Sequence, residues 1–308
     1  MWKQIKQYFW MVIFLPVLLA SCRGTVDAAQ PMIEANPSQA EMTVTVSVLP
    51  QKYFLERIGG DLVRVNVMVE PGASPHSYEP KPEQMRALSE SAAYFSIGVE
   101  FEEAWLERIA AANDSMLMVD TIAGIERMEM AGHEHEYDEA DAIVEAKLDP
   151  HVWTSPELVK VMSQTIYQAL VELDPEHEAE YRANLRLFLQ DIDALQLEIK
   201  ESLSGLKGNK FIVFHPSWGY FAREFGLEQI SIEVDGQEPS AQELAELIDQ
   251  AKTDGIRVVF AQPEFNTKSA EVIANEIGGT VLLISALEPD WLANMRTVSQ
   301  TFGEMLSE

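Results

Sequence analysis

The longest uninterrupted helical pattern in the chain lies near its centre and limits the folds that the chain can adopt. No glycine or proline occurs between Pro175 and Gly205. Apolar side chains recur every three or four residues along this stretch, at Tyr181, Leu185, Phe188, Ile192, Leu195, Ile199, Leu203 and Leu206. The pattern predicts one amphipathic helix on the order of 40 Å long. Such a helix is either a rigid connector between two domains or a long packing helix within one domain.

Strand and helix patterns alternate on both sides of this central helix. The first half begins with a β-branched run over residues 43–49, a short helical pattern over 53–58 and a second strand pattern over 63–69. After Gly208 the same alternation resumes and ends in a helical pattern over 291–306. Alternation of this kind predicts parallel sheets with helices on both faces. We therefore predict an α/β fold: two lobes of parallel or mixed β-sheet, flanked by helices and joined by the long helix.

The N-terminus has the pattern of an export signal. Lys3 and Lys6 precede an apolar run over residues 8–20 that ends in Leu-Ala-Ser-Cys22. A positive start, a short apolar core and small residues before a cleavage site are typical of a secretory signal. The ending resembles a bacterial lipoprotein lipobox, which implies lipidation of Cys22, the only cysteine of the chain. An ordinary signal peptide with a chance cysteine is the alternative.

These patterns divide the chain into five segments. We expect a lipoprotein signal peptide (1–21), a flexible tether (22–42), an N-terminal lobe (43–173), the connecting helix (174–206) and a C-terminal lobe (207–308). The protein would be exported and held at a membrane through Cys22, as a periplasmic or cell-surface lipoprotein. The formal net charge of −28 argues against nucleic acid and against an anionic membrane surface as partners.

Three of the six histidines follow strand or extended patterns and have a proline beside them. His76 lies in Ser-Pro-His, His151 in Asp-Pro-His-Val-Trp, and His215 follows its strand directly in Phe-His-Pro-Ser-Trp. Ligands of open α/β sheets bind beyond the carboxyl ends of the strands. The three histidines lie too far apart in sequence for a local chelate, so only the fold could bring them to one site.

Three neutral imidazoles suit zinc and metals of similar softness better than calcium or magnesium. A fourth, anionic ligand would complete a tetrahedron. The acids that follow the last predicted strand, in Leu287-Glu-Pro-Asp-Trp291, offer Glu288 first and Asp290 as its competitor.

Four motifs together resemble the zinc/manganese family of ABC-transporter substrate-binding proteins, of the ZnuA/TroA type. They are Gly72-Ala-Ser-Pro-His-Ser-Tyr78, Asp149-Pro-His-Val-Trp-Thr-Ser-Pro-Glu157, Phe214-His-Pro-Ser-Trp-Gly-Tyr-Phe221 and Gln262-Pro-Glu-Phe265. The resemblance covers most of the chain from about Thr43 onwards. It implies a single metal in the cleft between two lobes, with His76, His151 and His215 as ligands. The last ligand of the family is an aspartate in a Leu-Asp-Pro segment. This chain has Glu288 there, and Asp290 or a water molecule could take its place.

The resemblance also implies the function and the cargo. A protein of this family captures Zn(II) outside the cytoplasmic membrane and delivers it to an ABC permease with its ATPase, and no reaction is catalysed. Histidine at position 215 matches the zinc members, whereas manganese members tend to carry glutamate there, so Mn(II) is the less favoured cargo. We expect a monomer. An acidic loop with His133 and His135 resembles the metal-collecting loop of zinc members, but its shortness favours a solvated loop.

Two other classes of protein remain as alternatives. One is a manganese- or iron-binding member of the same family with an adhesin-like role. The other is a zinc metalloenzyme, because three histidines and an open position also form hydrolytic sites. The chain has no His-Glu-x-x-His run and no Gly-x-Ser-x-Gly motif, which disfavours the enzyme.

Overall fold

The computed structural model describes residues 42–130, 147–233, 237–265 and 267–307. The predicted signal peptide, Cys22 and residues 22–41 of the predicted tether lie outside these ranges, as do His133 and His135. Within the described ranges, no helix combines the length and the apolar character that crossing a membrane requires.

Strands and helices alternate as the sequence predicts. The first half contains strands β1 (Met42–Val46), β2 (Val63–Val67), β3 (Ala93–Ser96) and β4 (Leu117–Asp120), and helices α1 (Leu49–Gly59), α2 (Pro82–Leu88), α3 (Glu100–Ala110) and α4 (Pro156–Leu173). The long helix is α5 (Glu178–Ser202). The second half contains strands β5 (Lys210–Val213), β6 (Glu228–Ser231), β7 (Val258–Ala261) and β8 (Thr280–Leu283), and helices α6 (Gly219–Phe225), α7 (Ala241–Asp254), α8 (Lys268–Glu276) and α9 (Trp291–Leu306).

Each half is built on one four-stranded parallel sheet. The strand orders are β2-β1-β3-β4 and β6-β5-β7-β8, so both halves have the same topology. In each sheet the chain reverses its direction of winding between the two central strands, β1 and β3 or β5 and β7. The carboxyl ends of those strands form the crevice in which ligands of such sheets bind. The predicted α/β fold with two lobes is confirmed, whereas the exact boundaries of the five segments stay predictions.

The long helix begins later than its sequence pattern predicts. Residues Pro175–His177 form a short 3-10 turn, and α5 runs from Glu178 to Ser202. Its apolar stripe is fully or almost fully buried, at Tyr181, Leu185, Phe188, Ile192, Leu195 and Ile199. The stripe faces both halves of the molecule, because Phe188 of α5 packs against Phe54 of α1 and Trp291 of α9, with ring centroids 5.9 and 6.4 Å away.

A second connection joins the segment before α4 to the second half. The buried Trp153 donates its indole N–H to the carbonyl of Ala286 at 2.8 Å. The indole of Trp291 in turn donates to the carbonyl of Trp153 at 2.8 Å. Each buried indole thus has the partner that its polar N–H requires. These bonds fix the residues around position 151 against the strand ends of the second sheet.

A buried polar cluster lies at the carboxyl edge of the first sheet. The Glu102 carboxylate accepts hydrogen bonds from the hydroxyl of Ser47 and from the backbone amides of Ile97 and Gly98, at 3.0 and 2.7 Å for the amides. Burial raises the pKa of Glu102 to about 7, although these hydrogen bonds act in the opposite direction. The cluster fixes the turn that leads from β3 into α3.

Changing Trp291 to Phe is expected to destabilise the protein by about 2–4 kcal/mol. The change leaves the buried carbonyl of Trp153 unpaired and creates a small cavity. Urea unfolding followed by circular dichroism would measure the loss. Trp105→Phe is the matched control, because Trp105 on α3 is only partly buried, and equal losses in the two variants would contradict the interpretation.

The raised pKa of Glu102 predicts a pH dependence of stability. Between pH 4.5 and about 7 the folded state holds a proton that the unfolded state releases, so the free energy of unfolding should fall as pH rises through this window. In the neutral variant Glu102→Gln, the free energy of unfolding should fall less over the same window. The two falls should differ by about 2–3 kcal/mol. Urea unfolding at pH 5 and pH 8 would measure the difference, and identical pH profiles for the two proteins would refute the assignment.

Candidate metal centre

His215 lies at the crevice of the second sheet and is fixed there by the neighbouring strand. It follows β5 after one residue, and Gln262 is the first residue after β7. The side chain of Gln262 accepts a hydrogen bond from the His215 amide at 3.3 Å and donates one to the His215 carbonyl at 2.7 Å. Sequence reasoning assigned no role to Gln262. Its position directly after a predicted strand could have indicated that it lies at the ligand-binding edge of the sheet.

His76 lies on the proline-containing loop that follows β2. The carbonyl of Pro75 accepts a hydrogen bond from the amide of Phe101 at 3.3 Å, and the amide of His76 donates to the Ser74 hydroxyl at 3.3 Å. Proline restricts both its own backbone and that of the preceding residue. The loop is therefore stiff and is attached to the first turn of α3.

His151 precedes a short 3-10 turn over Val152–Thr154 that leads into α4. Its amide donates to the Asp149 carboxylate at 2.8 Å. The hydroxyl of Tyr220 donates to the carbonyl of Asp149 at 2.8 Å, and Trp153 is bonded to the second half as described above. His151 is consequently held by the same half that carries His215.

The three histidines converge through their Nε2 atoms. The Nε2 atom of His215 is 2.8 Å from that of His76 and 3.3 Å from that of His151. The side chains of His151 and His215 are almost completely buried, and that of His76 is 22% exposed. Two nitrogen ligands at tetrahedral positions on zinc lie about 3.3 Å apart. Across the described part of the chain, these histidines form the only group of three or more metal-binding side chains with this spacing.

The Nδ1 atom of every histidine in this group faces a carboxylate. A carboxylate can only accept, so the hydrogen bonds of His151 and His215 place the proton on Nδ1 and leave the Nε2 lone pair directed towards the other rings. The Nδ1 atom of His76 forms an ion-pair contact with Glu100, and we assign it the same tautomer. This arrangement fixes ring orientation and raises the basicity of the coordinating nitrogen at metal sites. The pairs are His76 with Glu100, His151 with Asp149 at 2.7 Å and His215 with Glu233 at 2.7 Å.

Burial sets the protonation state of His215 and ion pairs set that of Glu100. Desolvation lowers the pKa of His215 to about 4, although the hydrogen bond to Glu233 acts to raise it. His215 is therefore neutral and able to coordinate a metal across the neutral pH range. Burial acts to raise the pKa of Glu100, but the hydrogen bonds and charges of His76 and Lys147 outweigh it and lower that pKa well below the usual range.

Apolar groups surround the three rings. Phe265 stacks on His215 with ring centroids 4.7 Å apart, and Trp153 meets His151 edge-on at 5.2 Å. The cavity that the histidines line measures about 20 Å³. That volume is close to the space that one water molecule occupies. The space between the rings can therefore hold an object of the size of one ion or one water molecule.

Glu288 and Asp290, the two acids predicted as the fourth ligand, do not line this cavity. Glu288 lines a neighbouring cavity of about 120 Å³, and Asp290 caps α9 by accepting a hydrogen bond from the amide of Ala293 at 3.0 Å. Glu264 is the carboxylate that lines both cavities, and it accepts a hydrogen bond from the Ser285 hydroxyl at 2.6 Å. The role of Glu288 as a ligand stays a prediction.

Sequence reasoning also assigned no role to any of the three carboxylates that hold the histidines. Asp149 stood within a quoted motif, two residues before His151, but was given no role. Nothing in the sequence marked Glu100 and Glu233 as histidine partners except their positions near strand ends, because His76 and His215 lie far from them in sequence. The remaining described histidine, His177, pairs with Asp174 at 2.6 Å before α5 and is separate from the cluster.

Comparison with known proteins agrees with this geometry. Residues 44–305 match the family model of the zinc-uptake complex component A, periplasmic, or ZnuA. The chain is 29% identical to the high-affinity zinc uptake system protein ZnuA of Paracoccus denitrificans, over 89% of each chain. It is 28% identical to the Bacillus subtilis protein of the same name, over 88% of this chain and 85% of that protein.

Among solved structures, a zinc-bound deletion mutant of ZnuA superimposes with a TM-score of 0.80 and 49% identity, covering 87% of this chain and 99% of that one. The family model covers almost the whole of the described chain, including the long helix and both four-stranded sheets except for the first two residues of β1. The chain therefore belongs to the ZnuA family, the periplasmic component A of zinc-uptake complexes.

Proposed function

We propose that this protein is the extracytoplasmic solute-binding component of a zinc ABC importer. It captures Zn(II) through the Nε2 atoms of His76, His151 and His215 and delivers the ion to a membrane permease driven by an ATPase. The observation that carries the proposal is the convergence of three Nε2 lone pairs, each fixed by a carboxylate on the opposite ring nitrogen.

The donor set supports zinc as the cargo. Three imidazole nitrogens match the borderline softness of Zn(II), whereas Mn(II) prefers sites richer in oxygen ligands. The names of the family and of the relatives reported above refer to zinc uptake. Copper and nickel also favour imidazole, so the metal available to the protein contributes to its selectivity.

The family supports binding without catalysis. The names of the family and of the reported relatives refer to zinc uptake and to no reaction. We infer that the protein is a metal receptor and not an enzyme. We further propose that the protein is an exported lipoprotein, anchored through Cys22 by a tether over residues 22–42, and that it acts as a monomer.

Metal analysis of each histidine variant tests the proposal. Protein that lacks residues 1–22 should bind one zinc ion per chain, and His76→Ala, His151→Ala and His215→Ala should each weaken binding by more than about 100-fold, because each change removes one coordinate bond. Competition with a chromophoric chelator would measure the affinities.

His177→Ala is the matched control, because His177 pairs with Asp174 away from the cluster, and it should bind zinc like the unchanged protein. Retention of manganese in preference to zinc would contradict the metal assignment. Hydrolysis of an ester that depends on His215 would contradict the receptor assignment.

A second set of variants identifies the fourth ligand. Glu264→Ala is expected to weaken zinc binding about tenfold or more if this carboxylate reaches the metal, because it lines the histidine cavity. Glu288→Ala should have that effect if the ligand lies where the family resemblance puts it. If neither change alters the affinity in the chelator competition, water is the fourth ligand. Asp290→Ala is a control for helix stability, because its cap bond is worth about 1 kcal/mol.

A further inference from the structure

The three carboxylates that hold the histidines differ in the number of cationic side chains that contact them. Glu100 forms an ion-pair contact with Nδ1 of His76 through Oε2, and its Oε1 atom lies 2.5 Å from the Nζ atom of Lys147. In the ranges that the structure describes, Asp149 and Glu233 form ion pairs with their histidines and with no lysine or arginine. Among the described residues, only the carboxylate that contacts His76 therefore shares its charge with a second cation.

The backbone around Lys147 places this lysine at a defined position. Its carbonyl accepts a hydrogen bond from the amide of Met130 at 2.8 Å, and the amide of Asp149 donates to the carbonyl of Met128 at 2.8 Å. An antiparallel bridge between Glu129 and Leu148 lies between these two bonds. The ion pair with Glu100 thus starts from a fixed main chain, although the Lys147 side chain is 54% exposed.

A carboxylate on Nδ1 strengthens an imidazole ligand by drawing on the Nδ1 proton, which leaves more electron density on Nε2. A cation on the second oxygen of the same carboxylate stabilises its negative charge and reduces this effect. We propose that Lys147 is a tuning residue for metal release: it acts through Glu100 to make His76 the weakest of the three histidine ligands. This inference rests on the proposed function, since it concerns the release of the bound metal.

The surroundings of His76 agree with a role as the first ligand to dissociate. It is the most exposed of the three rings, and it comes from the first half of the chain, whereas His151 and His215 are both held by bonds to the second half. Departure of His76 leaves the metal with two of its three histidine ligands. A receptor that must hand its cargo to another protein needs one ligand that leaves readily, and Lys147 supplies that property without contacting the metal.

Zinc release from the Lys147→Met variant tests the inference. Methionine keeps much of the side-chain length and removes the charge, so Glu100 would act on His76 alone. We expect dissociation of zinc to slow about three- to tenfold and the dissociation constant to fall by the same factor. Stopped-flow mixing of zinc-loaded protein with a chromophoric chelator would measure the rate. Equal or faster release in the variant would overturn the inference.

A double-mutant cycle with Glu100→Gln separates action through Glu100 from simple repulsion between Lys147 and the metal. Glu100→Gln alone should weaken zinc binding about 10–100-fold. If Lys147 acts through Glu100, Lys147→Met should have no effect on release in the Glu100→Gln background. A slowing of the same size in both backgrounds would mean direct repulsion and would overturn the proposal. Lys160→Met is the matched control, because Lys160 pairs with Glu157 and Asp193 on helices α4 and α5, and it should leave release unchanged.

The outcomes distinguish this inference from the proposed function. Protein that binds no zinc, or binds it equally well without His76, His151 and His215, would contradict the proposed function. Protein whose zinc binding needs the three histidines, but whose release rate is the same with and without the Lys147 charge, would contradict the inference about Lys147 alone.

Discussion

The mutual approach of three imidazole nitrogens is the physical constraint on which the rest of the site depends. In the tautomer that the carboxylates beside Nδ1 favour, three Nε2 lone pairs face one another, two of the Nε2–Nε2 distances being 2.8 and 3.3 Å. Lone pairs this close repel one another, so other contacts must hold the rings in place, and a cation between them relieves the repulsion. The carboxylates, the side chain of Gln262 and the proline-containing loop of His76 provide these contacts. The fold thereby orients the three rings before a metal ion binds.

The fold divides the three histidines unequally between the two halves. His151 and His215 are both held against the second sheet, through the Trp153 and Tyr220 hydrogen bonds and through Gln262. His76 belongs to the first half and reaches the others across the crevice. Phe188 in α5 makes aromatic contacts with both halves and so limits how far they can move apart. Because His76 alone belongs to the first half, any small movement between the halves would change its distance to the other two rings more than the distance between those two.

Local sequence rules predicted most of the elements, and their errors have local causes. The first strand was expected over residues 43–49 but ends at Val46, because α1 begins at Leu49 with Pro50 in its first turn, where proline is favoured. The long helix was expected to begin at Pro175, but a 3-10 turn precedes α5. The element types were predicted correctly in these cases, because hydrophobic periodicity extends over a whole element whereas a boundary depends on one or two residues.

The sequence by itself determined the two α/β lobes, the long helix and the three histidines, because periodicity and position after a strand are properties of neighbouring residues. It also led to the family, through four motifs that contain these histidines. Only the tertiary structure decided which carboxylate holds each ring. It also decided that the side chain of Gln262 fixes His215 and that Lys147 contacts the same carboxylate, that of Glu100, as His76 does. Glu100 and His76, or Glu233 and His215, are brought together by the crossing of strand ends and loops. Such pairs depend on distances in the folded backbone, which have no counterpart in the spacing of residues along the chain.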